Sequence, residues 1–518
     1  MKDSFLSKLL AYYGLNQEGY RVLTREPSFS SLPKLEDLNS LNRIKERLAV
    51  AKEKGEKVII YGDYDTDGVM ATSITKLTLE ALGIKAATYL PSRYLDGYGI
   101  NKKNAEKIVN NGYRLVIAVD NGVAAHEALD YLKEVGVDVI VIDHHEIPSI
   151  GPAPSLALIH PVTSNYGEVP VSAGYLSFLV SVFLLNRVDP YLLTLGATST
   201  ISDMMPLHSH NRDIVRMSLR LIEEHKFPQY VNFLEKSTVT ADDLAMFFVP
   251  AINAIGRMVE DSTINRLVNY FTKPFNDSSF AIMNWMKEVN ALRKEESKKA
   301  VDTLSCNPEE AGLCLITSLK EGLNGLVANR LLNEYQKPVC VFSPKAGDEE
   351  ILVGSLRSLE GFNVVKALES LKGHLLAGGG HAFAGGLSIR KDDFESFKKD
   401  FLFLCLKYRL NPTIEDLIPL ELDEVTMENL ELVESFSPFG QEWKTPKFVL
   451  RGIDTASFAY VKGGLYLSSS LPNGARLFSF SIGEKGVSDK KKVDLKVTFR
   501  RHEYRGKVSV ELLAEKII

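Results

Sequence analysis

The sequence predicts an α/β fold with a mainly parallel sheet, and two patterns in its first half indicate this. Short apolar segments alternate with segments of helical pattern, which is the signature of βαβ units. The predicted strands begin near Val58, Ala86, Leu115, Asp138 and Leu156, and the predicted helices cover 69–82, 101–111 and 124–135. Acidic or histidine residues directly follow three of these strands. The carboxyl ends of parallel strands share one edge of a sheet, so we expect a functional crevice there.

A chain of 518 residues is too long for one hydrophobic core, so we expect several domains. A charged helical stretch separates the first αβ region from a second one, and short alternating strands with Gly, Asn and Asp turns follow from about residue 415. The predicted segments are an N-terminal helical segment at 1–55, a parallel-sheet domain at 56–275, a connecting helix at 276–310, a second αβ domain at 311–410 and a small β-barrel at 415–518.

Composition excludes some classes of protein. No apolar run approaches the roughly 20 residues that span a bilayer, and the first residues lack a signal-peptide pattern. Four widely spaced cysteines argue against a disulfide framework or a thiolate zinc site, so we expect a cytoplasmic protein. The net charge of −5 is unlike that of a bulk nucleic-acid binder. A local basic stripe, with nine Lys or Arg against three acids, lies between Lys485 and Lys507.

Three aspartates follow the first predicted strand: Asp63, Asp65 and Asp67, with Gly68 next. This run is compatible with a capped loop between a strand and a helix, or with a metal site. An EF-hand is excluded because neither its preceding helix nor its downstream Glu is present. Carboxylates brought together repel one another unless cations bind among them.

The other clusters strengthen the prediction of a metal site. Asp120 follows the third predicted strand, although alone it is compatible with a turn or a cap. Asp143, His144 and His145 follow the fourth predicted strand. Two adjacent histidines at this place point in different directions, so one can ligate a metal ion while the other contacts the substrate. Asp203 lies in an apolar stretch, where an unpaired carboxylate would be costly. Together these residues predict a metal-dependent active site.

The order of these motifs resembles the DHH phosphoesterase superfamily, and within it the RecJ family of single-strand-specific exonucleases. Besides the acidic clusters, the matching segments are Arg93 with Gly97-Tyr98-Gly99, Asn253-Ala254-Ile255-Gly256-Arg257, Gly354-Ser355-Leu356-Arg357-Ser358, Gly379-Gly380-His381 and Pro438-Phe439-Gly440. The resemblance implies a DHH catalytic domain, a DHH-associated substrate-binding domain and an OB-like nucleic-acid-binding domain. Departures from the family pattern occur at Ala251, at Ser318-Leu319-Lys320 and at Gln441-Glu442.

The resemblance also implies roles for individual residues. Two divalent ions, Mn²⁺ or Mg²⁺, would be held by Asp63, Asp65, Asp67, Asp120, His144 and Asp203, with Asp120 bridging them. His145 would lie beside the scissile phosphate, and it is predicted to be catalytic together with Asp143. The predicted contacts of a 5′-terminal phosphate and the strand behind it are Arg93, Ser355, Arg357, Gly379, Gly380 and His381. How the ligands divide between the two ions stays open.

The preferred hypothesis is a 5′-to-3′ exonuclease of single-stranded DNA acting in repair and recombination. The expected partners are single-stranded DNA, a single-strand-binding protein and a helicase, with no membrane and a monomeric chain. One alternative is a phosphodiesterase of short oligonucleotides or cyclic dinucleotides, but such relatives have a His where this chain has Tyr61. Another is a non-catalytic replication scaffold, which the retained acids and histidines disfavour. In the C-terminal segment, Phe478, Phe480, Phe499 and Tyr504 could stack on bases, and we expect at least half of them to be core.

Overall fold

The computed structural model of the chain describes residues 4–97, 99–164, 166, 169–407, 416–487, 491–504 and 506–518, without the side chains of Leu38, Lys485 and Tyr504. Tyr98 and part of the predicted basic stripe lie outside this description. The chain forms two compact units. The main unit comprises Phe29–Met205 and Ile214–Thr413, and the terminal unit comprises Met1–Ser28, Pro206–Asp213 and Ile414–Ile518. The predicted domain boundaries stay a prediction.

The helices are, in chain order, α1 Phe5–Tyr12, α2 Gln17–Thr24, α3 Leu38–Lys54, α4 Thr66–Ala81, α5 Lys102–Asn110, α6 His126–Glu134, α7 Ala173–Leu185, α8 Pro190–Ser202, α9 Ser209–His225, α10 Pro228–Leu234, α11 Ala241–Asp243, α12 Val249–Met258, α13 Arg266–Thr272, α14 Asp277–Thr303, α15 Asn324–Tyr335, α16 Val364–Ser370, α17 Phe394–Lys407 and α18 Met427–Ser435. A π-helical turn, Leu244–Phe248, leads into α12. Among the described residues, no helix combines the length and apolarity needed to cross a bilayer.

The first sheet of the main unit is parallel throughout, which confirms the predicted fold class. Its strands are β1 Val58–Tyr61, β2 Ala86–Tyr89, β3 Leu115–Val119, β4 Asp138–Ile142 and β5 Ala157–Ile159. Their order is β2-β1-β3-β4-β5, with every neighbouring pair parallel. Every residue of β1 and β3 is buried, as expected for central strands covered on both faces. The carboxyl ends of β1, β3 and β4 therefore lie side by side.

The second sheet of the main unit is mixed and lies beyond α14. Its strands are β6 Leu313–Ile316, β7 Val339–Lys345, β8 Asp348–Arg357, β9 Leu375–Gly380 and β10 Ala384–Arg390. Their order is β6-β7-β8-β10-β9, and only β6 and β7 pair in parallel. Across β8, β10 and β9, Ser355, Gly386 and Gly379 occupy one row. This row carries little side-chain bulk, so it leaves the surface of the sheet open.

The terminal unit is mostly β. Its strands are β11 Ile418–Leu420, β12 Phe448–Asp454, β13 Tyr460–Val461, β14 Tyr466–Ser470, β15 Arg476–Ser479, β16 Lys492–Tyr504 and β17 Lys507–Ile517. They form one seven-stranded sheet in the order β11-β12-β16-β17-β15-β14-β13. Helix α1 packs on this sheet, since the ring of Phe5 lies 5.7 Å from those of Phe448 and Phe499. Local sequence patterns do not reveal this pairing of the two ends of the chain.

Candidate metal centre and phosphate cavity

A tight turn between β1 and α4 carries the first three acids. Asp65 is the N-cap of α4, and its carboxylate accepts a hydrogen bond from the Gly68 N–H at 3.1 Å. A Cβ atom on Gly68 would lie 2.5 Å from the backbone nitrogen of Asp63, so only glycine fits there. The turn thereby holds Asp63, Asp65 and Asp67 within five residues, beside the carboxyl ends of β3 and β4.

The neighbouring strands add the remaining predicted ligands. Asp120 follows β3 with a φ of 60°, a left-handed conformation that is uncommon for an aspartate and is concentrated at functional sites. His144 follows β4, and its Nε2 lies 3.5 Å from Asp67 Oδ2, 3.3 Å from Asp120 Oδ1 and 3.4 Å from Asp203 Oδ2. Asp203 comes from the C-terminal end of α8. One imidazole nitrogen is thus surrounded by three carboxylates from three separate segments.

These side chains form overlapping groups whose ligand atoms lie within 4.8 Å of one another: Asp63, Asp65 and Asp120; Asp67, His144 and Asp203; and Asp120, His144 and His145. Asp63 Oδ1 and Asp120 Oδ1 are buried without a hydrogen-bond partner. Buried carboxylate oxygens without donors are costly unless a cation binds them, and oxygen and imidazole are suitable ligands for Mn²⁺. The residues present therefore fit divalent cations.

The pKa values of the acids reflect this crowding. Burial, and then the charge of Asp65, raises the pKa of Asp63 well above its usual range. Burial also raises the pKa of Asp120, to which Asp67, Asp65 and Asp63 contribute by repulsion. Burial and the charge of Asp67 raise the pKa of Asp203 to about 8. The site is therefore a cluster of acidic groups whose negative charge the neighbouring protein side chains do not neutralise.

Asp67 is held in place by donors on its other side. Its Oδ2 accepts from the Ala173 N–H at 2.9 Å, and its Oδ1 accepts from the Gly174 N–H at 2.8 Å and from the Ser199 hydroxyl at 2.5 Å. Ala173 and Gly174 form the first turn of α7, where free N–H groups and the helix dipole favour an anion. These donors fix the direction in which the carboxylate presents its remaining electron pairs.

Asp143 supports His145. The Asp143 carboxylate accepts from the backbone N–H groups of Val123, His144 and His145 at 2.9, 2.8 and 3.1 Å, and from His145 Nδ1 at 2.8 Å. Burial opposes the ionised form of Asp143, yet these hydrogen bonds outweigh it and lower its pKa to about 2. Burial acts to lower the pKa of His145, but the hydrogen bond to Asp143 and the charge of Asp143 raise it to about 9. This raised pKa favours the protonated form of His145 at neutral pH.

A cavity of about 1070 Å³ lies within the main unit and collects the predicted phosphate contacts. Arg93, Ser355, Arg357, Gly379 and Gly380 line it, whereas His381 is exposed and is not among its described lining residues. Arg357 Nη1 donates to Ser355 Oγ at 2.7 Å, which orients the guanidinium. The guanidinium of Arg93 lies 4.4 Å from the centre of the Tyr64 ring, next to Asp63 and Asp65. The phosphate cavity thus adjoins the metal loop.

Several residues of this site are not predicted from the sequence. Arg257 and Lys345 add positive charge to the cavity, and Glu321 adds one acid. Tyr64 is 8% exposed and stacks under Arg93. Arg257 belongs to a segment that matched the RecJ pattern, which is a signal that could have identified it. Lys345 and Glu321 carry no comparable local signal, because only the tertiary fold brings them to the cavity.

Residues 57–195 match the DHH family, N-terminal domain, residues 316–404 match the DHHA1 domain, and residues 418–516 match the RecJ OB domain. The chain thus matches these three domain models in this order along its length. RecJ single-stranded-DNA-specific exonucleases are its homologues over most of its length, which confirms the resemblance drawn from the motifs.

The relatives differ in length. The RecJ exonuclease of Haemophilus influenzae is 29% identical over 515 residues, covering 91% of this chain and 89% of the relative. The Bacillus subtilis RecJ is 30% identical over 440 residues, covering 78% of this chain, but the matched region is about half of that relative's length, 53%. RecJ from Thermus thermophilus, solved in complex with Mn²⁺, has a TM-score of 0.84 at 23% identity, covering 99% of this chain and 76% of that one. This last likeness shows the fold.

Proposed function

We propose that this chain is a metal-dependent exonuclease that degrades single-stranded DNA from the 5′ end, in DNA repair and recombination. The observation that carries the proposal is a cluster of carboxylates, arranged so that it could hold cations, that adjoins an arginine-lined cavity within one compact unit. Homology to RecJ exonucleases supports the choice of substrate. A terminal phosphate held by arginines at a fixed place beside a cleavage site would make cleavage begin at that end of the strand.

The ligand groups support a division between two ions. Asp63, Asp65 and Asp120 would hold one ion, and Asp67, His144 and Asp203 would hold the other. Asp120 would bridge them, since its Oδ1 lies 3.3 Å from His144 Nε2. When bound, paired divalent cations activate a water and stabilise the leaving oxygen of a phosphodiester. Mn²⁺ or Mg²⁺ suits this oxygen-rich ligand set.

His145 and Asp143 would act on the substrate phosphate. Asp143 is a buried acceptor that keeps the imidazole charged and fixes its orientation through Nδ1. When substrate binds, the opposite nitrogen, Nε2, would donate to a non-bridging phosphate oxygen. A preorganised donor of this kind stabilises charge that develops during cleavage. Both residues are therefore proposed to be catalytic, His145 by direct contact and Asp143 through it.

The cavity would hold the 5′ end. Arg93 and Arg357 offer forked donors that match the geometry of phosphate, and Ser355 adds a hydroxyl. Gly379 and Gly380 would let the DNA strand lie close to the backbone of β9. His381, which is exposed and directly follows β9, would also contact the DNA. The terminal unit would collect the single strand by stacking and charge.

The wider setting is proposed from the resemblance alone. It consists of a cytoplasmic, monomeric enzyme that works with a single-strand-binding protein and a helicase. Bacterial relatives named as single-stranded-DNA-specific exonucleases support single-stranded DNA as the substrate in this setting.

Digestion of single strands labelled at either end tests the proposed function. DNA and RNA strands with 5′-phosphate or 5′-hydroxyl ends are incubated with Mn²⁺, with Mg²⁺ or with EDTA, and products are resolved by length. We expect metal-dependent release of mononucleotides from the 5′ end of DNA. Cleavage from the 3′ end, or of short oligonucleotides and cyclic dinucleotides alone, would contradict the proposal.

A further inference from the structure

A side chain from α12 holds the metal loop at the residue between two of its acids. Thr66 separates Asp65 from Asp67, and both its backbone N–H and its hydroxyl donate to Asn253 Oδ1 at 2.8 Å. The hydroxyl has only a longer alternative acceptor, the Val249 carbonyl at 3.4 Å. Thr66 is fully buried, so water does not replace a lost acceptor. Because a backbone N–H only donates, the amide oxygen of Asn253 must face the loop.

The separation between α12 and the loop is fixed by a second contact. A Cβ atom on Gly256 would lie 2.4 Å from the carbonyl oxygen of Tyr64. Backbone therefore packs directly on backbone one helical turn after Asn253. Since α12 is already in contact with the loop, it cannot move closer to supply another acceptor if the amide of Asn253 is removed.

The restrained turn serves both candidate ligand groups. Asp65 belongs to the group with Asp63 and Asp120, and Asp67 belongs to the group with His144 and Asp203. Asp67 is held from outside the loop by α7, and Asp65 by its own capping bond to Gly68. The carbonyl of the Asp65–Thr66 peptide group accepts from the Val69 N–H at 2.9 Å, so Asn253 is needed only on the donor side, where it accepts from the Thr66 N–H and hydroxyl. Without Asn253, these two buried donors would lose their acceptor, and a shift of Thr66 toward another acceptor would change the directions of the neighbouring Asp65 and Asp67 carboxylates.

We propose that Asn253 is a positioning residue for both metal groups, acting through Thr66 on the directions of Asp65 and Asp67. It does not touch the ions or the substrate. This inference rests on the proposed function, because it takes these carboxylates as ligands of divalent cations. Partners that orient metal ligands typically contribute about 10- to 100-fold to metal affinity.

Titration calorimetry with Mn²⁺ on the full chain tests the proposal without any assay of cleavage. Asn253→Leu, close in size but without an acceptor, is expected to weaken Mn²⁺ binding by about 10-fold or more. Asn253→Asp keeps the acceptor and should restore binding. The matched control is Asn265→Leu, because Asn265 Oδ1 likewise accepts from a backbone N–H, that of Leu90 at 2.7 Å, and contacts none of the acids of the candidate ligand groups in the hydrogen bonds described. It should leave Mn²⁺ affinity unchanged.

The outcomes separate this inference from the function on which it rests. A wild-type chain that binds no Mn²⁺ or Mg²⁺ would overturn the proposed function. A wild-type chain that binds Mn²⁺, with Asn253→Leu binding equally well, would overturn the role of Asn253 alone. If Asn253→Leu does not fold, Thr66→Val removes only the hydroxyl contact, and weaker Mn²⁺ binding supports the proposal while unchanged binding overturns it.

Discussion

The metal centre and the phosphate cavity of the main unit are charged in opposite ways. At the metal centre, buried acids such as Asp63 and Asp120 crowd together, and protein donors satisfy only some of their oxygens. In the cavity, Arg93 and Arg357 are separated by open space and by the bare backbone of glycines. The first region is costly unless a cation binds there, whereas the second is open and carries an excess of positive charge. Substitutions should therefore act on the two regions with different signs and sizes.

The largest effect is expected at Asp120, which we take to bridge the ions. Asp120→Asn removes a charge shared by both ligand groups, so turnover should fall by about 10³-fold or more if ion-assisted chemistry is lost. Without metal, the same change relieves repulsion at a carboxylate whose pKa burial has raised. Thermal melting in EDTA should therefore occur at a higher temperature than in the wild type. An equal or lower melting temperature in EDTA would show that the crowded acids are not a source of instability.

In the cavity, Arg357→Ala should change end selection more than turnover. A charge-assisted hydrogen bond to phosphate contributes about 1.5–3 kcal/mol, so the preference for a 5′-phosphate over a 5′-hydroxyl should fall by roughly 10- to 100-fold. Competition between the two labelled strands measures this ratio. Arg330→Ala, an exposed arginine of α15, is the control and should keep the preference. A preserved ratio in Arg357→Ala would remove this residue from the 5′ site.

The open space of the cavity can be tested by filling it. A Cβ atom on Gly386 meets nothing within 4 Å, and Gly386 lies in the row with Ser355. Gly386→Val should fold with unchanged or higher stability, since a β-branched residue suits a strand, yet it should raise the KM for single strands. Gly373→Val also projects into open space but lies outside the cavity lining, so its KM should be unaltered. Equal KM values for both variants would mean that the substrate does not use this surface.

The two regions also differ in how far the sequence predicts them. The acids follow strands directly, so local pattern and the rule for parallel sheets were enough to expect Asp63, Asp120 and His144 in one place. The structure does bring these three residues together, and their roles as metal ligands stay a prediction. The cavity is formed by β7, β8 and β9 together with the segment that carries Arg93, which is distant in sequence. No local sequence pattern indicates that these segments come together. Lys345 and Glu321 were missed for that reason.

The predicted stacking residues of the terminal unit illustrate the same limit. Phe499 is buried at 8% exposure, Phe478 is half-buried and Phe480 is 61% exposed, while the side chain of Tyr504 lies outside the description. Alternation along a strand predicts that some side chains point outward, but not which face the rest of the chain covers. Helix α1, from the opposite end of the sequence, decides this at Phe499.

The effect expected from Phe480 is on binding of the strand rather than on turnover. Its ring lies 4.7 Å from that of Phe478 and 5.7 Å from that of Tyr466, and cations lie over both neighbours. Stacking contributes about 1–3 kcal/mol per base, so Phe480→Ala should weaken binding of long single strands by up to roughly 10- to 100-fold and spare hydrolysis of short ones. Phe403→Ala is the matched control, because Phe403 is 56% exposed with Lys407 over its ring. Equal losses in both variants would point to a general effect of removing a surface ring.

The smallest expected effect concerns His374, which directly precedes β9. Its Nδ1 lies 2.8 Å from Asp393 and its Nε2 lies 3.0 Å from Asp400, and only a protonated imidazole donates to both carboxylates at once. Burial alone would lower the pKa of His374, but these bonds raise it above its ordinary value of 6.5. A raised pKa in the folded state means that the stabilisation is complete below pH 6.5 and is lost as the pH rises through the folded value.

The melting temperature of the wild type should therefore exceed that of His374→Gln at pH 5.5–6, and the two should converge above the folded pKa. Because the site is near the surface and salt screens it, the difference should shrink in about 1 M NaCl. A difference that stays constant from acid to alkaline pH would show that packing against Phe397, rather than charge, is what His374 contributes.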